Sequence, residues 1–186
     1  MSSLILNIPN LISFARLLCV PLTVWLILKD QMLAAFWIFV IASVSDAADG
    51  FIARRFNLRT VIGGYIDPLA DKALLVSVFI TLGHEGYISS WLVIMVVFRD
   101  VMIVSGAVLY HLLFGNLTME PLLSSKLNTA VQFLMVSLVL GLSGYGINDD
   151  MVVVVFTVLT TLTTLWSGAA YVVVWGHKAS ALEPGE

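Results

Sequence analysis

The chain has 186 residues, of which 60% are hydrophobic and 11% charged, and its mean hydropathy is +1.01. This composition excludes a water-soluble globular protein and predicts an integral membrane protein. The formal net charge of −3 is uninformative about function, and no nucleic-acid partner is expected.

Six apolar stretches are long enough to cross a bilayer, which requires about 20 residues. They cover 11–28, 31–55, 61–82, 88–114, 126–142 and 151–175. The polar connections between them are short, so no linker separates two domains. We therefore expect residues 1–186 to form a single all-α domain, a bundle of six transmembrane helices with a frayed tail at 180–186.

Basic residues near the ends of these spans predict the orientation. One side would carry Arg54, Arg55, Arg59, Lys126 and Lys178, and the other side only Lys29. Because cytoplasmic connections are enriched in lysine and arginine, both termini are expected in the cytoplasm. A bacterial inner membrane fits this arrangement, and the mitochondrial inner membrane stays open as an alternative.

The first element begins with a polar segment, Asn7-Ile8-Pro9-Asn10, and carries Arg16 inside its apolar stretch. This is a poor signal-peptide pattern, so we expect no cleavage. Residues 1–10 are predicted to start a short interfacial helix, with Asn10 as its N-cap and Arg16 reaching lipid head groups. A second interpretation, that Arg16 is only a snorkelling anchor, stays open. Cys19, the single cysteine, is interpreted as a small apolar side chain.

The second and third elements carry four aspartates in lipid-like sequence. Asp46 and Asp49 are three residues apart, and Asp67 and Asp71 are four apart, so each pair shares one face of its helix. An ionised carboxylate at bilayer depth costs roughly 2.5 to 3.5 kcal/mol and usually marks a functional site. Two antiparallel helices with a short connection can bring the four acids together.

Converging carboxylates repel one another, so protons or cations must compensate them. Oxygen ligands without histidine or cysteine favour Mg²⁺ or Mn²⁺ over zinc. Four carboxylates also suit two divalent cations that act together on a phosphorus centre. The acidic residues therefore predict a site for two Mg²⁺ or Mn²⁺ ions.

Small residues lie among the acids and leave room for a ligand. They are Gly50, Ala53, Gly63 and Gly64, and beside them Arg54 offers a fork for phosphate. Close packing of membrane helices by small residues is the alternative. The combination with four acids and an arginine favours a phosphate-binding site.

The fourth and fifth elements carry polar residues that we expect in the cytoplasmic half. Arg99 lies in an apolar run and needs a partner, and Asp100 is expected to point elsewhere. In the fifth element Ser125, Thr129 and Gln132 form a polar stripe beside Lys126, for which interhelical hydrogen bonds are an equal alternative. Arg99 and Lys126 are the candidates for binding an anionic group.

The sixth element carries hydroxylated residues that can pack helices together, and no interface is assigned to them. These are Thr157, Thr160, Thr161, Thr164 and Ser167. The three histidines, His84, His111 and His177, lie near span ends and are expected to have no catalytic role.

The acidic run resembles the signature of the CDP-alcohol phosphotransferase family. It reads Asp46-x2-Asp49-Gly50-x2-Ala53-Arg54-x8-Gly63-x3-Asp67-x3-Asp71 and matches without a departure. The resemblance implies transfer of a phosphatidyl group from a CDP-linked lipid to an alcohol with release of CMP, and a homodimer. It also implies that the four aspartates hold two divalent cations.

The same resemblance implies individual roles. Asp71 would also be the general base that takes the proton of the acceptor hydroxyl, with Asp67 beside it in the catalytic site. Gly50, Ala53, Arg54 and Gly63 would contact the CDP-lipid. No serine, cysteine or histidine in the run is evidently activated, so direct displacement without a covalent intermediate is expected.

Two branches of the family differ in the acceptor alcohol. Phosphatidylglycerophosphate synthases use glycerol 3-phosphate. They usually show Arg-Glu in the fourth helix, where this chain has Arg99-Asp100. In the fifth helix they usually show Gly-Lys-x-Lys-Thr, where this chain has Ser125-Lys126-Leu127-Asn128-Thr129. The latter pattern resembles eukaryotic-type cardiolipin synthases, which use phosphatidylglycerol. Asn128 in place of a second lysine suits a monoanionic diester, so Arg99, Lys126 and Asn128 are the candidate acceptor residues.

Two functions of other classes are weighed against this interpretation. A cation or proton transporter also places acids on transmembrane helices, but these acids cluster toward one face beside an arginine. An inactive lipid-binding or assembly module is disfavoured by the intact signature. CDP-diacylglycerol and phosphatidylglycerol are therefore the expected substrates.

Overall fold

The computed structural model describes the backbone of residues 8–56, 63–114, 122–147 and 149–180, and the side chains of 15–45, 70–106, 108, 122–147 and 149–175. Over these ranges the protein is all-α, as predicted. Six helices follow in chain order: α1 (Ile8–Leu28), α2 (Met32–Phe56), α3 (Gly63–His84), α4 (Ser90–Phe114), α5 (Leu123–Gly144) and α6 (Asp150–Ser180).

Three helices end in the same way, with one residue in the left-handed conformation. Asp30, Gly86 and Gly146 have φ values of 58°, 83° and 67°. In each case the next amide N–H donates to the carbonyl five residues earlier, as in Tyr87 to Leu82 at 2.9 Å. This motif satisfies the last carbonyls of the helix and turns the chain within a few residues. It explains why the connections after α1, α3 and α5 are short.

The connection after α3 is also tied to the end of α1. The Tyr87 hydroxyl donates to Asp30 Oδ1 at 3.1 Å. Partial burial, and then this hydrogen bond to a carboxylate, raise the pKa of Tyr87 above its ordinary value of 10.0. The contact links two turns at one end of the helices.

The start of α1 differs from the expectation of a separate interfacial helix. Within the described residues, helix begins at Ile8 and continues without a break to Leu28 through Pro21. Residues 1–7, which include most of the predicted interfacial start, lie outside the described residues, as does the predicted tail at 181–186. The apolar sequence that follows Asn10 continues the same helix, so residues 8–28 contain no separate interfacial element.

The described helices belong to two compact units. The first contains α1, α2, α3 and the end of α5 from Val136, and the second contains α4, α5 up to Met135, and α6. In the first unit α1 packs on α2 and α3, around buried side chains such as Phe39, Leu74 and Phe79. In the second unit α4 packs on α6. The expectation of a single domain over residues 1–186 stays a prediction.

Large apolar side chains are exposed on every helix, which is the pattern of a lipid-facing protein rather than of a soluble one. Examples are Leu18, Ile41, Ile80, Ile94, Leu134 and Leu162. Among the described residues, Leu123–Gly144 and Asp150–Trp175 are long and apolar enough to cross a membrane, and Ala15–Leu28 and Met32–Ser45 are shorter apolar helices. Membrane character is supported, and six spans stay a prediction.

Candidate functional site

The backbone places all four predicted aspartates on two helices that pack together. Asp46 and Asp49 lie in α2, together with Gly50, Ala53 and Arg54, and Asp67 and Asp71 lie in α3, which begins at Gly63. Helices α2 and α3 contact each other, and both contact α1. Of this set only the Asp71 side chain is among the described residues.

Asp71 is held by an arginine that the sequence did not assign to the site. Arg16 Nη1 of α1 donates to Asp71 Oδ1 at 2.5 Å, and the side chains are 2% and 28% exposed. Both expectations for Arg16, a head-group contact and a snorkelling anchor, are therefore wrong. A buried guanidinium needs a carboxylate partner, and the acid on α3 is within its reach.

This ion pair has two consequences. It fixes the Asp71 carboxylate at one position between α1 and α3, and it partly compensates the negative charge of the acidic run. Because the Arg16 side chain is buried and the Asp71 side chain is part-buried, loss of the carboxylate would remove a partner of a charge that is costly to bury. Arg16 is thus part of the site's electrostatics.

An apolar cavity lies beside Arg16 between α1 and α2. Its volume is about 270 Å³, and it is lined by Ala15, Arg16, Cys19, Leu22, Ile38, Ile41, Ala42 and Ser45. Ser45 directly precedes Asp46 in the sequence. Cys19 lines this cavity as a free thiol, in agreement with its expected role as a small apolar side chain.

The donor set determines which metal the acidic residues could hold. Four carboxylates on two packed helices supply only oxygen ligands, which fit a hard divalent cation such as Mg²⁺ or Mn²⁺. Among the described residues, no three histidine, cysteine, aspartate or glutamate side chains lie close enough together to hold a metal ion. Because the side chains of Asp46, Asp49 and Asp67 lie outside the described residues, the two-metal site stays a prediction.

Arg99 has several partners inside the second unit. Its Nη1 donates to Asp100 Oδ1 at 2.5 Å, and its Nη2 donates to Ser125 Oγ at 2.8 Å and to Ser167 Oγ. Arg99 and Asp100 are 3% and 5% exposed. The expectation that Asp100 points elsewhere is wrong, because the long arginine side chain bends back to its neighbour. The pair is therefore neutralised within α4.

Asn128 and Lys126 occupy different environments on α5. Asn128 is fully buried, and its Oδ1 accepts hydrogen bonds from Thr163 and Thr164 of α6 at 2.9 and 3.0 Å. Lys126 is exposed. Of the three candidate acceptor residues, Arg99 and Asn128 thus each make hydrogen bonds between helices, Arg99 from α4 to α5 and α6 and Asn128 from α5 to α6.

The expected polar stripe on α5 lies one residue away from its predicted position. Ser124, Asn128 and Gln132 are buried, whereas Ser125 and Thr129 are only half-buried. The Thr129 hydroxyl donates to the Ser125 carbonyl of its own helix at 3.0 Å. Asn128 faces α6, so the buried side of α5 carries Ser124, Asn128 and Gln132 rather than Ser125 and Thr129.

The hydroxyl groups of α6 pack helices as expected. Thr160, Thr164 and Ser167 are buried, and Thr160 Oγ1 contacts Met135 Sδ of α5 at 3.2 Å. Thr157 and Thr161 are half-buried, and Thr161 donates to the Thr157 carbonyl. Their small, hydroxylated side chains were the signal in the sequence.

The family model described as CDP-alcohol phosphatidyltransferase matches residues 6–166. A rice (Oryza sativa subsp. japonica) CDP-diacylglycerol–glycerol-3-phosphate 3-phosphatidyltransferase 1, chloroplastic, is 33% identical over 89% of the chain and 56% of its own length. A rat (Rattus norvegicus) cardiolipin synthase (CMP-forming) is 32% identical over 89% of the chain and 60% of its own length.

A CDP-diacylglycerol–glycerol-3-phosphate 3-phosphatidyltransferase of Rickettsia typhi is 29% identical over 92% of the chain and 94% of its own length. The chain thus spans little more than half the length of the rice and rat relatives and nearly all of the bacterial one. The relatives divide between two acceptor alcohols.

Proposed function

Because the chain belongs to the CDP-alcohol phosphatidyltransferase family, we propose that it transfers a phosphatidyl group from CDP-diacylglycerol to phosphatidylglycerol. The products are cardiolipin and CMP. The observation that carries the proposal is the complete acidic signature on α2 and α3, whose last member, Asp71, is held by Arg16 at 2.5 Å.

Asp46, Asp49, Asp67 and Asp71 would hold two divalent cations, Mg²⁺ or Mn²⁺. When bound, these cations would neutralise the pyrophosphate of the donor and stabilise the CMP leaving group. Gly50, Ala53, Arg54 and Gly63 would contact the CDP portion, and one acyl chain of the donor would lie in the apolar cavity beside Arg16.

The proposed reaction is a direct displacement at phosphorus. The acceptor hydroxyl oxygen forms a bond to the phosphorus that carries diacylglycerol, the bond from that phosphorus to the CMP oxygen breaks, and Asp71 takes the hydroxyl proton. Arg16 acts as a positioning residue, since its ion pair fixes the carboxylate that accepts the proton.

Charge in the second unit favours phosphatidylglycerol as the acceptor. The basic side chains described there are Arg99 and Lys126, and Arg99 is already paired with Asp100. A dianionic monoester such as glycerol 3-phosphate calls for several cations, whereas a monoanionic diester needs fewer. Asn128 adds hydrogen bonding without charge.

The second candidate, a phosphatidylglycerophosphate synthase, is supported by the names of the rice and Rickettsia relatives.

We place the protein in a bacterial inner membrane as a homodimer, with its termini and the site on the cytoplasmic side. The distribution of basic residues supports the orientation, and the family resemblance supports the dimer. Exposed apolar side chains on all six helices support a lipid environment.

The test is turnover by the purified protein in mixed micelles with CDP-diacylglycerol and one acceptor at a time. With Mg²⁺ and phosphatidylglycerol we expect equal amounts of cardiolipin and CMP, and with a chelator neither product. Release of CMP with glycerol 3-phosphate alone would refute the acceptor, and absence of CMP with every acceptor would refute the transferase.

A further inference from the structure

Three buried polar side chains form a line along one face of α5. Ser124, Asn128 and Gln132 are four residues apart, and their exposures are 8%, 0% and 1%. Residues at this spacing lie above one another on a helix, one turn apart. With a rise of about 1.5 Å per residue, the line extends about 12 Å.

The three side chains share a second property, which is that part of their hydrogen-bonding capacity is unused. Ser124 Oγ, Asn128 Nδ2 and Gln132 Nε2 are buried and have no hydrogen-bond partner among the described residues. Other buried hydroxyls are satisfied by their own helix: Thr23 donates to the Cys19 carbonyl at 2.7 Å and Thr81 to the Ser77 carbonyl at 2.8 Å. Buried donors without partners are rare and need a specific explanation.

The Asn128 amide faces α6. Its Oδ1 accepts a hydrogen bond from Thr164 at 3.0 Å and lies 2.9 Å from Thr163 Oγ1, whose single hydrogen also has the Leu159 carbonyl within 3.0 Å. With Oδ1 on this side, the Nδ2 hydrogens remain to donate. The arrangement presents a preorganised donor at the middle of the line.

We propose that Ser124, Asn128 and Gln132 form the subsite that receives the glycerol phosphate head group of the acceptor. The proposal rests on the transferase function proposed above. Amide N–H groups and a hydroxyl bind phosphate and hydroxyl oxygens without adding charge, and a head group with several oxygens can accept hydrogen bonds from more than one of them. Ser124 and Gln132 thereby join Asn128 as residues that determine acceptor specificity.

The test uses two variants that remove donors without removing any hydrogen bond within the described protein. These are Gln132→Met, which keeps the side-chain length, and Ser124→Ala. Each is expected to raise the KM for the acceptor roughly five- to twentyfold, the loss of a hydrogen bond to a buried group. The KM for CDP-diacylglycerol should change less than about twofold, and the Tm should stay the same or rise.

Thr129→Val is the matched control on the same helix, because the Thr129 hydroxyl is already satisfied by the Ser125 carbonyl. It should leave both KM values unchanged. An unchanged acceptor KM in Gln132→Met and Ser124→Ala would overturn the subsite and indicate donors that bind only water. A fall in Tm with equal changes in both KM values would also overturn it, since it would show a structural role.

Both acceptors are measured for every variant, which separates this proposal from the one it rests on. Wild-type protein that consumes only glycerol 3-phosphate would refute the proposed acceptor. In that case a raised KM for glycerol 3-phosphate in Gln132→Met and Ser124→Ala would still support the subsite, and an unchanged KM would overturn it. Wild-type protein that consumes neither acceptor would refute both proposals.

Discussion

Arg16 in α1 and Asp71 in α3 form a part-buried ion pair with an Nη1 to Oδ1 distance of 2.5 Å. The two residues are 55 positions apart in the chain. The pair joins the first helix to the helix that carries the second half of the acidic signature. It assigns a charged residue of α1 to the proposed catalytic site.

Replacing Arg16 by glutamine should lower both stability and turnover. The substitution removes the Arg16 guanidinium from the part-buried Asp71 carboxylate, which we expect to cost roughly 1 to 3 kcal/mol. Arg16→Lys keeps the charge and should lie between wild type and Arg16→Gln. Thermal unfolding in detergent and initial rates of CMP release measure the two effects. Wild-type stability and rate in Arg16→Gln would show that the pair has neither role.

Replacing Asp71 by asparagine should abolish turnover and largely spare binding of the CDP-lipid. Asparagine still offers an oxygen to Arg16 but cannot take the proton of the acceptor hydroxyl. Single-turnover CMP release and equilibrium binding of CDP-diacylglycerol separate the two properties. Near-normal turnover would remove Asp71 from the role of general base.

Gly144→Ala should destabilise the protein, because there is no space for a side chain at the end of α5. A Cβ atom at Gly144 would lie 2.7 Å from the backbone N and Cα of Leu33. Backbone cannot move aside as a flexible side chain can, so we expect a loss of roughly 1 to 3 kcal/mol. Thermal unfolding is the measurement.

The matched control for this substitution is Gly168→Ala in α6. Its Cβ would lie 3.7 Å from Met102 Cε, which is an ordinary contact. Alanine is favoured over glycine inside a helix by about 1 kcal/mol, so this variant should be as stable as wild type or more so. Equal behaviour of the two variants would contradict the close approach at Gly144.

The raised pKa of Tyr87 predicts that the thermal stability of the protein depends on pH in the alkaline range. Burial, and then the hydrogen bond to Asp30, raise the pKa of Tyr87 in the folded protein above the ordinary value of 10.0. A raised folded-state pKa means that the contribution to stability is complete below pH 10 and is lost as pH rises through the folded pKa. Tyr87→Phe should therefore lose less Tm between pH 9 and 11 than wild type. The same loss in both proteins would argue against this contact.

Apolar stretches and the acidic signature were sufficient to predict much of the structure. Helices α4 (Ser90–Phe114) and α3 (Gly63–His84) begin and end within two residues of the predicted apolar stretches at 88–114 and 61–82, because the polar connections mark the ends of the helices. α6 continues to Ser180, past the predicted end at residue 175, because helix can extend beyond the apolar core of a bilayer.

The partners of charged residues could not be predicted, because they depend on contacts between helices far apart in sequence. Arg16 stood out as a charge in an apolar stretch, which indicated a partner but not Asp71. The pairing of Arg99 with Asp100 depends on the path of one side chain. The left-handed conformation of Asp30 could not be predicted either, because aspartate seldom adopts it. Glycine is the usual residue at such positions, as at Gly86 and Gly146.

The most direct test of the proposed function is a competition between the two acceptors in one reaction. Purified protein receives CDP-diacylglycerol with a labelled diacylglycerol part, Mg²⁺, and equimolar phosphatidylglycerol and glycerol 3-phosphate, and the labelled products are quantified. We expect labelled cardiolipin as the main product, with one CMP released per cardiolipin formed. Labelled phosphatidylglycerophosphate as the main product would contradict the assignment.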